Sequence, residues 1–342
     1  NRCSGGPERL QTVWNDERSA SVARAFEATG VPYASQSADR VSVMVSQRGN
    51  NWVEAYTDVC EASRIRGEAS EDLLDRQMAC LDQRLLELDR LLDLFEHADE
   101  TIVEGSVDAL RSLAGPNPCT LGAEMLKLER LPSDPVKVKV IEEIRADLAE
   151  VEALKVIGKF EEGLSRVERA VEAAEETGYA PVLGQALQLK GHIEIEVGRS
   201  DEAVTSLRRA MVAVEQGGDD RLAVTVLNEL VWVQGTMLQE FDQANFWSEL
   251  AEARLHGIAD SGVLSAELLA SRAAVLEVEG RYDEALDIQR EAYTSITSAL
   301  GSESLEASYA ENLLANALYS VGSYDEALAH YQVAADLREG YL

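Results

Sequence analysis

A short motif, repeated five times at a nearly fixed spacing, constrains the fold of this chain more than any other feature. We call it the turn motif, and its most regular copies read Gly-x-Tyr-Asp-Glu-Ala at Gly280–Ala285 and Gly322–Ala327. The third residue of each copy falls at Phe160, Ser200, Phe241, Tyr282 and Tyr324. Successive copies are therefore 40, 41, 41 and 42 residues apart. Such a period predicts an all-α solenoid in which each copy is one helical hairpin.

Each residue type in the turn motif has a capping or packing role in a helical hairpin. The glycine ends the first helix, helix A, because a left-handed backbone costs least without a β-carbon. The aromatic residue is expected to fill the corner, and the acidic pair begins helix B, where the helix dipole favours negative charge. An alanine returns seven residues after each motif, from Ala170 to Ala334. Small residues there, with Gly191 and Ala315 on helix A, predict close approach of the two helices.

The charge balance excludes some classes of partner. The chain has 342 residues, of which 62 are acidic and 31 basic, so its formal net charge is −31. This surface repels phosphate backbones and anionic lipids, which argues against nucleic-acid binding and membrane docking, and we interpret it as a means of solubility. No apolar run is long enough to cross a bilayer. Because the chain begins at Asn1 without a signal-peptide pattern, we expect a processed product or a fragment of a longer protein.

All four cysteines lie outside the repeats, at Cys3, Cys60, Cys80 and Cys119. An even number in one region predicts two disulfides and an oxidising compartment. A zinc site is the alternative, but gaps of 57, 20 and 39 residues lack the close pairs that such sites favour. Cys60 and Cys80 flank a predicted turn between antiparallel helices, so a bridge between them is plausible and would leave Cys3 with Cys119. Four cysteines allow three pairings, which stay open here.

Residues 1–135 are predicted to form a non-repetitive helical module. One helix is expected over about 38–65, with a weak point at Gly49. Ser70 is the predicted N-cap of a second, long helix whose apolar stripe runs from Leu73 to Phe95. Two prolines in residues 131–135 mark the boundary before the array of residues 136–342. The five predicted hairpins cover about 138–178, 179–219, 220–260, 261–302 and 303–342.

The turn motif with its flanking small residues resembles the tetratricopeptide repeat, and the resemblance implies a right-handed solenoid of helix pairs. The usual period of that family is 34 residues, so the longer steps here resemble its kinesin-light-chain-like variety. The segment Asn312–Asn316 matches that variety as well. Three positions depart from the pattern: Gln239 replaces a turn glycine, Trp232 occupies a position that is usually small, and Ser200 replaces the corner aromatic. We therefore expect different local packing in the second and third repeats.

A second resemblance concerns the amino-terminal module. Trp52 and the segments Cys60–Ser70 and Leu73–Arg84 are similar to a region of certain bacterial serine/threonine kinases, notably those of myxobacteria. In those proteins this region lies between a membrane-spanning helix and a tetratricopeptide array. The resemblance implies an extracytoplasmic, periplasmic or extracellular, sensor or docking region. It also implies a tether through a membrane helix upstream of Asn1.

The sequence contains no pattern that predicts catalysis. It has no glycine-rich phosphate loop before a helix, no His-Arg-Asp loop and no Asp-Phe-Gly metal motif. The four histidines are scattered singly, at His97, His192, His256 and His330. We therefore predict a chain that is not an enzyme and needs no metal or cofactor.

Binding is the function that remains, and in a tetratricopeptide array helix A lines the concave face. The predicted inward positions are Gln185, Gln188, His192, Glu229, Thr236, Glu267, Ala270, Ala274, Asn312, Asn316 and Tyr319. Asn312 and Asn316 lie four residues apart, so their amides could hold a peptide backbone or could instead bind neighbouring helices. The face lacks the lysine and arginine clamps that would capture an acidic peptide, which favours a neutral or basic partner.

The last predicted helix carries apolar residues that no polar capping helix follows. They are Leu328, Tyr331, Leu337, Tyr341 and Leu342. A solenoid end of this kind needs a cover, either further repeats or another subunit. The favoured function is thus a protein or peptide interaction and sensing module, and the alternative is a subunit that stacks head to tail with identical copies into a filament. An enzyme using a pocket in the amino-terminal module is a third and weaker hypothesis.

Overall fold

The computed structural model describes residues 3–127, 129–259 and 261–341, with the side chains of all of these except 123, 124, 340 and 341. The described residues form helices and no strand. The helices are α1 (Gly6–Val13), α2 (Asp16–Thr29), α3 (Ala34–Arg64), α4 (Glu71–Phe95), α5 (Glu100–Ser112), α6 (Asn117–Thr120), α7 (Gly122–Met125), α8 (Pro135–Val156), α9 (Phe160–Thr177), α10 (Ala180–Glu196), α11 (Ser200–Gly217), α12 (Asp220–Trp232), α13 (Phe241–Leu255), α14 (Gly262–Val278), α15 (Tyr282–Leu300), α16 (Leu305–Ser320) and α17 (Tyr324–Tyr341).

The chain falls into two compact units. The first contains residues 1–193 and 216–218, and the second contains residues 194–215 and 219–342. In the first unit α8 packs against α4 and α5, so the first hairpin shares a unit with the amino-terminal helices. The boundary at residue 135 therefore stays a prediction about sequence repeats. It does not coincide with a boundary between compact units.

The core of the amino-terminal helices is built from α2, α3 and α4. Phe26 and Phe95 meet edge to face with ring centroids 5.6 Å apart, and both are fully buried. Ser70 caps α4 as predicted, because its side chain accepts a hydrogen bond from the Leu73 amide. The weak point expected at Gly49 is absent, since α3 continues through it. A β-carbon there would come within 2.8 Å of Leu10 Cδ2, so this glycine allows α1 to lie close to α3.

The disulfide pairing considered most plausible from the sequence is wrong. The structure joins Cys3 to Cys60 and Cys80 to Cys119, with Cα–Cα distances of 5.6 and 5.5 Å. Cys60 lies four residues before the end of α3, whereas Cys80 lies nine residues after the start of α4. At 1.5 Å per residue the two positions differ in height along the hairpin by about 7 Å, more than a disulfide spans. The bridges instead attach the amino terminus to α3 and the short helix α6 to α4.

The predicted hairpins correspond to successive helix pairs, and α8–α9, α12–α13, α14–α15 and α16–α17 each pack together within one unit. The turn glycines at 158, 198, 280 and 322 all have positive φ, between 76° and 82°. Acidic residues occupy the first turn of each helix B, as the dipole argument requires. The recurring alanines are buried, for example Ala170 at 2% and Ala334 at 3% exposure. The predicted all-α class is confirmed.

The corner role predicted for the aromatic residue is wrong in the last two repeats. Tyr282 is 46% exposed and Tyr324 is 61% exposed. Each is the first residue of its helix B, so its ring lies at the outer edge of the turn. The Tyr324 ring instead contacts the Tyr319 ring edge to face, at 5.2 Å between centroids. In the described part of the chain, no helix combines the length and apolar character needed to span a bilayer.

The disulfide pairing gives a direct prediction. Digestion of the oxidised protein should yield linked peptides that join residue 3 to 60 and residue 80 to 119, identified by mass spectrometry and absent after reduction. Replacing both Cys80 and Cys119 by serine should lower the free energy of unfolding by about 2–5 kcal/mol, as is usual for a native bridge. A peptide linking Cys60 to Cys80 would contradict the pairing.

Candidate partner-binding face

The third hairpin contains one more residue than the others, inserted just before its turn. A π-turn covers Val233–Met237 between α12 and α13. In the fourth repeat the Arg281 amide donates to the carbonyl five residues earlier, on Leu276. In the third repeat the corresponding Glu240 amide donates to the carbonyl six residues earlier, on Gln234. The π-turn therefore shifts every earlier position of α12 by one residue relative to the other A helices.

The extra residue explains how Trp232 is accommodated at a position that is small in other repeats. Val231, at 1% exposure, takes the buried place that Ala315 has in the fifth repeat. Trp232 moves to the next place and is 40% exposed. The place it takes corresponds to that of His192 and Asn316, and the place of Gln188 and Asn312 falls to Asn228. Sequence comparison without the extra residue assigned Glu229 to that place and missed Asn228.

Buried polar side chains hold the π-turn in position. Gln239 replaces the turn glycine and adopts a φ of 57°. Gln234, at 1% exposure, donates from Nε2 to the Glu240 carboxylate at 2.6 Å and accepts at Oε1 from the Trp247 indole at 2.5 Å. Since a left-handed backbone strains a residue with a β-carbon, these bonds offset a cost that glycine avoids elsewhere.

The predicted inward residues belong to both compact units. Gln188 and His192 lie on the part of α10 that belongs to the first unit, and both are half-buried. The other predicted positions lie in the second unit. Of these, Thr236 is satisfied within its own helix, because its hydroxyl donates to the Trp232 carbonyl at 2.6 Å.

Three predicted residues share one face of α16. Asn312 is half-buried, Asn316 is exposed and Tyr319 is 60% exposed. The two asparagines are not equivalent, since Asn316 Oδ1 accepts a hydrogen bond from the Tyr331 hydroxyl at 2.6 Å. Among the described residues, none forms a side-chain hydrogen bond with Asn312. The alternative in which an asparagine binds a neighbouring helix therefore applies to Asn316.

Asn228 carries an unsatisfied polar atom. Its Oδ1 is shielded from water, and no donor among the described residues reaches it. A shielded acceptor without a donor costs about 1–3 kcal/mol. Asn228 and Asn312 occupy equivalent positions in the third and fifth repeats, so both repeats present a carboxamide there.

Two glutamates on neighbouring A helices make this face acidic. Partial loss of hydration raises the pKa of Glu267 on α14, and the nearby Glu229 carboxylate on α12 raises it further. Arg221 lowers it in part. The like-charge contact favours a cation near these groups.

The residues predicted to stack at the array's end are not equally available. Leu328 is 67% exposed, whereas Leu337 is half-buried. Tyr331 packs beside the cluster formed by Leu314 and Leu318 of α16 and also donates to Asn316. The side chain of Tyr341 and all of Leu342 lie outside the described residues.

Titratable groups come together at another point of the last repeat without forming a reactive site. Glu311 is 5% exposed, accepts from the Tyr293 hydroxyl at 2.8 Å and contacts His330 Nδ1. Partial loss of hydration, with the bond to Glu311, raises the pKa of Tyr293 to about 12. These contacts join α15, α16 and α17, so their role is structural. Within the described residues, no three histidine, cysteine or carboxylate side chains could share a metal ion.

Comparison with known proteins supports the repeat assignment. Residues 264–340 match the model of the tetratricopeptide repeat family, so this chain carries a tetratricopeptide array. No curated protein matches the chain.

Three solved structures are similar to the chain in fold at low sequence identity. BtubC (BKLC) from P. vanneervenii is 18% identical over 60% of this chain and 89% of its own, with a TM-score of 0.46. A Rap protein complexed with Competence and Sporulation Factor is 13% identical over 96% and 99%, with a TM-score of 0.48. Aspartyl phosphate phosphatase F from Bacillus subtilis is 14% identical over 98% and 94%, with a TM-score of 0.48. All three TM-scores are below 0.5, and nothing about the function of the present chain follows from them.

The close packing of the π-turn predicts a large effect at Gly235. A β-carbon there would overlap Val275 and lie 3.1 Å from Ala244 Cβ. Gly235→Ala should therefore lower the free energy of unfolding of the second unit by about 1–3 kcal/mol, measured by urea denaturation. Gly105→Ala is the matched control: its β-carbon would make only ordinary contact with Ile157, and it should be neutral or stabilising. Equal effects of the two changes would contradict the packing described for Gly235.

The acidic contact predicts a pH dependence. An acid whose pKa is raised by folding destabilises the fold once the pH rises above its unfolded value, 4.5 for glutamate. Glu267→Gln should therefore raise the thermal midpoint at pH 7, and the gain should disappear as the pH falls towards 4. Glu284→Gln is the control with the opposite sign, because its bond to Arg281 lowers the pKa of Glu284. A Glu267→Gln variant less stable than wild type at pH 7 would refute the argument.

Proposed function

We propose that this chain is a non-catalytic protein–protein interaction module that holds an extended segment of a partner across its A helices. The observation that supports this most is the recurrence of a carboxamide at one repeat position, Gln188, Asn228 and Asn312. A primary amide both donates and accepts, so it can pair with a peptide backbone irrespective of the partner's side chains. In the second unit the amides lie beside Glu229 and Glu267. A neutral or basic segment therefore suits the face better than an acidic one.

The test uses a defined probe, because the partner is unidentified. Peptides of random sequence, selected by display on the whole chain, should bind the wild type. A variant carrying both Asn228→Ala and Asn312→Ala should bind every selected peptide about ten-fold or more weakly, since each lost hydrogen bond is worth about 1 kcal/mol.

The matched control is Asn245→Ala, which removes an exposed amide from α13 and should leave binding unchanged. Unaltered binding by the double variant, measured by fluorescence anisotropy, would refute the proposed contact. Failure to select any peptide would count against the interaction function itself.

The resemblance to bacterial serine/threonine kinases supports a finer proposal. In it the chain is the extracytoplasmic sensor region of such a kinase and is tethered by a membrane helix upstream of Asn1. Two disulfides within the amino-terminal helices are consistent with an oxidising compartment. The parent gene decides the matter: a kinase domain and a membrane helix should be encoded upstream. Their absence from that gene would end the assignment.

Self-assembly is the second candidate, and the exposure of Leu328 favours it. Head-to-tail stacking would need an open A helix at the start of the array. In the first unit α8 is packed against α4 and α5, so a second copy would have to meet the amino-terminal helices instead. Sedimentation at micromolar concentration tests the proposal, which requires mass to grow with concentration. A monomer throughout would exclude it.

A further inference from the structure

The contact between α15 and α16 shows how a B helix of this chain binds the A helix that follows it. Leu286 on α15 is 7% exposed and clusters with Leu314, Ala317 and Leu318 of α16. Farther along α15, Ile296 packs with alanines near the start of α16. The interface thus consists of large residues on helix B against a leucine and alanine stripe on helix A.

The same face recurs on α17 without a helix against it. The step from Tyr282 to Tyr324 is 42 residues, so Leu328 is the equivalent of Leu286. Leu328 is 67% exposed, where Leu286 is 7% exposed. The alanines that face helix A within each hairpin keep equal burial, for example Ala285 at 0% and Ala327 at 1%. The two helices therefore share one register, and the difference in exposure is confined to the outer face.

This continuity with an interface already present in the chain defines the shape of an occupant. A helix seated on α17 in the way that α16 sits on α15 would cover Leu328. It would present apolar residues three and four positions apart, as α16 does with Leu314, Ala317 and Leu318.

The charges around this face select between possible helices. Asp325, Asp336 and Glu339 are exposed on α17. The one arginine of α17, Arg338, lies over the Tyr309 ring at 4.7 Å and donates to Ser308 Oγ at 3.1 Å. An incoming helix therefore meets a carboxylate rim, which attracts basic flanking residues. A second copy of this chain, with a net charge of −31 and the same acidic rim, would be repelled.

We propose that the outer face of α17 is a docking site for an amphipathic α-helix of another protein, with a leucine and alanine stripe and basic flanks. The site uses the contact geometry of the chain's own repeats. It is separate from the A-helix face and does not depend on the function proposed above.

A synthetic peptide derived from α16 provides the probe. It has the sequence of residues 305–320 with Glu306→Lys and Glu311→Lys, and a second peptide carries Leu314→Asp and Leu318→Asp in addition. The basic peptide should bind the whole wild-type chain in fluorescence anisotropy, more weakly at high salt, and the second peptide should not. Leu328→Asp should weaken binding about ten-fold or more, because a buried leucine is worth about 1.5–3 kcal/mol.

Val333→Asp is the matched control. Val333 is 43% exposed, lies on the same helix but away from Leu328, and corresponds to the exposed Glu291 of α15. Both positions are exposed, so both variants should fold, which far-ultraviolet circular dichroism verifies. Binding unaffected by Val333→Asp supports the site. Equal affinity of wild type and Leu328→Asp overturns it, as does absence of binding to the wild type. Self-association that Leu328→Asp abolishes would also overturn it, by showing that a second copy covers the face.

Discussion

The close approach of the two helices of each hairpin is the constraint on which the rest of the structure depends. It requires a left-handed residue at the turn, supplied by glycine in four repeats, and small buried residues such as Ala285 and Ala327 where the helices meet. Each hairpin then has an apolar outer face that only a neighbouring helix can cover. The recurring residues are thereby committed to packing and capping. Recognition is left to the residues that differ between repeats.

The third hairpin meets the same constraint by a different route. It lacks the turn glycine and has a tryptophan where a small residue is expected, yet its helices still pack closely. The inserted residue of the π-turn places Val231 at the contact, and Gly235 takes the tightest position against Val275. Gln239 stands in the left-handed conformation that glycine holds elsewhere. The same shift moves Asn228 and Trp232 to the positions proposed to meet a partner, so a packing solution has altered the binding face.

The sequence predicted the features that depend on local chemistry. The period, the turn glycines, the acidic helix starts and the Ser70 cap are properties of short segments, and the structure has them all. Features that depend on distant residues were not predictable in this way. The disulfide pairing follows from the different heights of Cys60 and Cys80 in their hairpin, and the bond that occupies Asn316 comes from Tyr331 on the next helix. The register of α12 was hidden because a single inserted residue leaves the 41-residue step unchanged.

The exposure of Trp232 tests this account most directly. If the third hairpin contains the extra residue, Trp232 lies on the A-helix face at 40% exposure, whereas Trp52 is buried at 3%. Hydroxyl-radical footprinting read by mass spectrometry should then oxidise Trp232 much faster than Trp52 in the folded protein. Without the extra residue, Trp232 would occupy the place of Ala273 and Ala315 between two helices. Protection of Trp232 equal to that of Trp52 would contradict the register and the binding face derived from it.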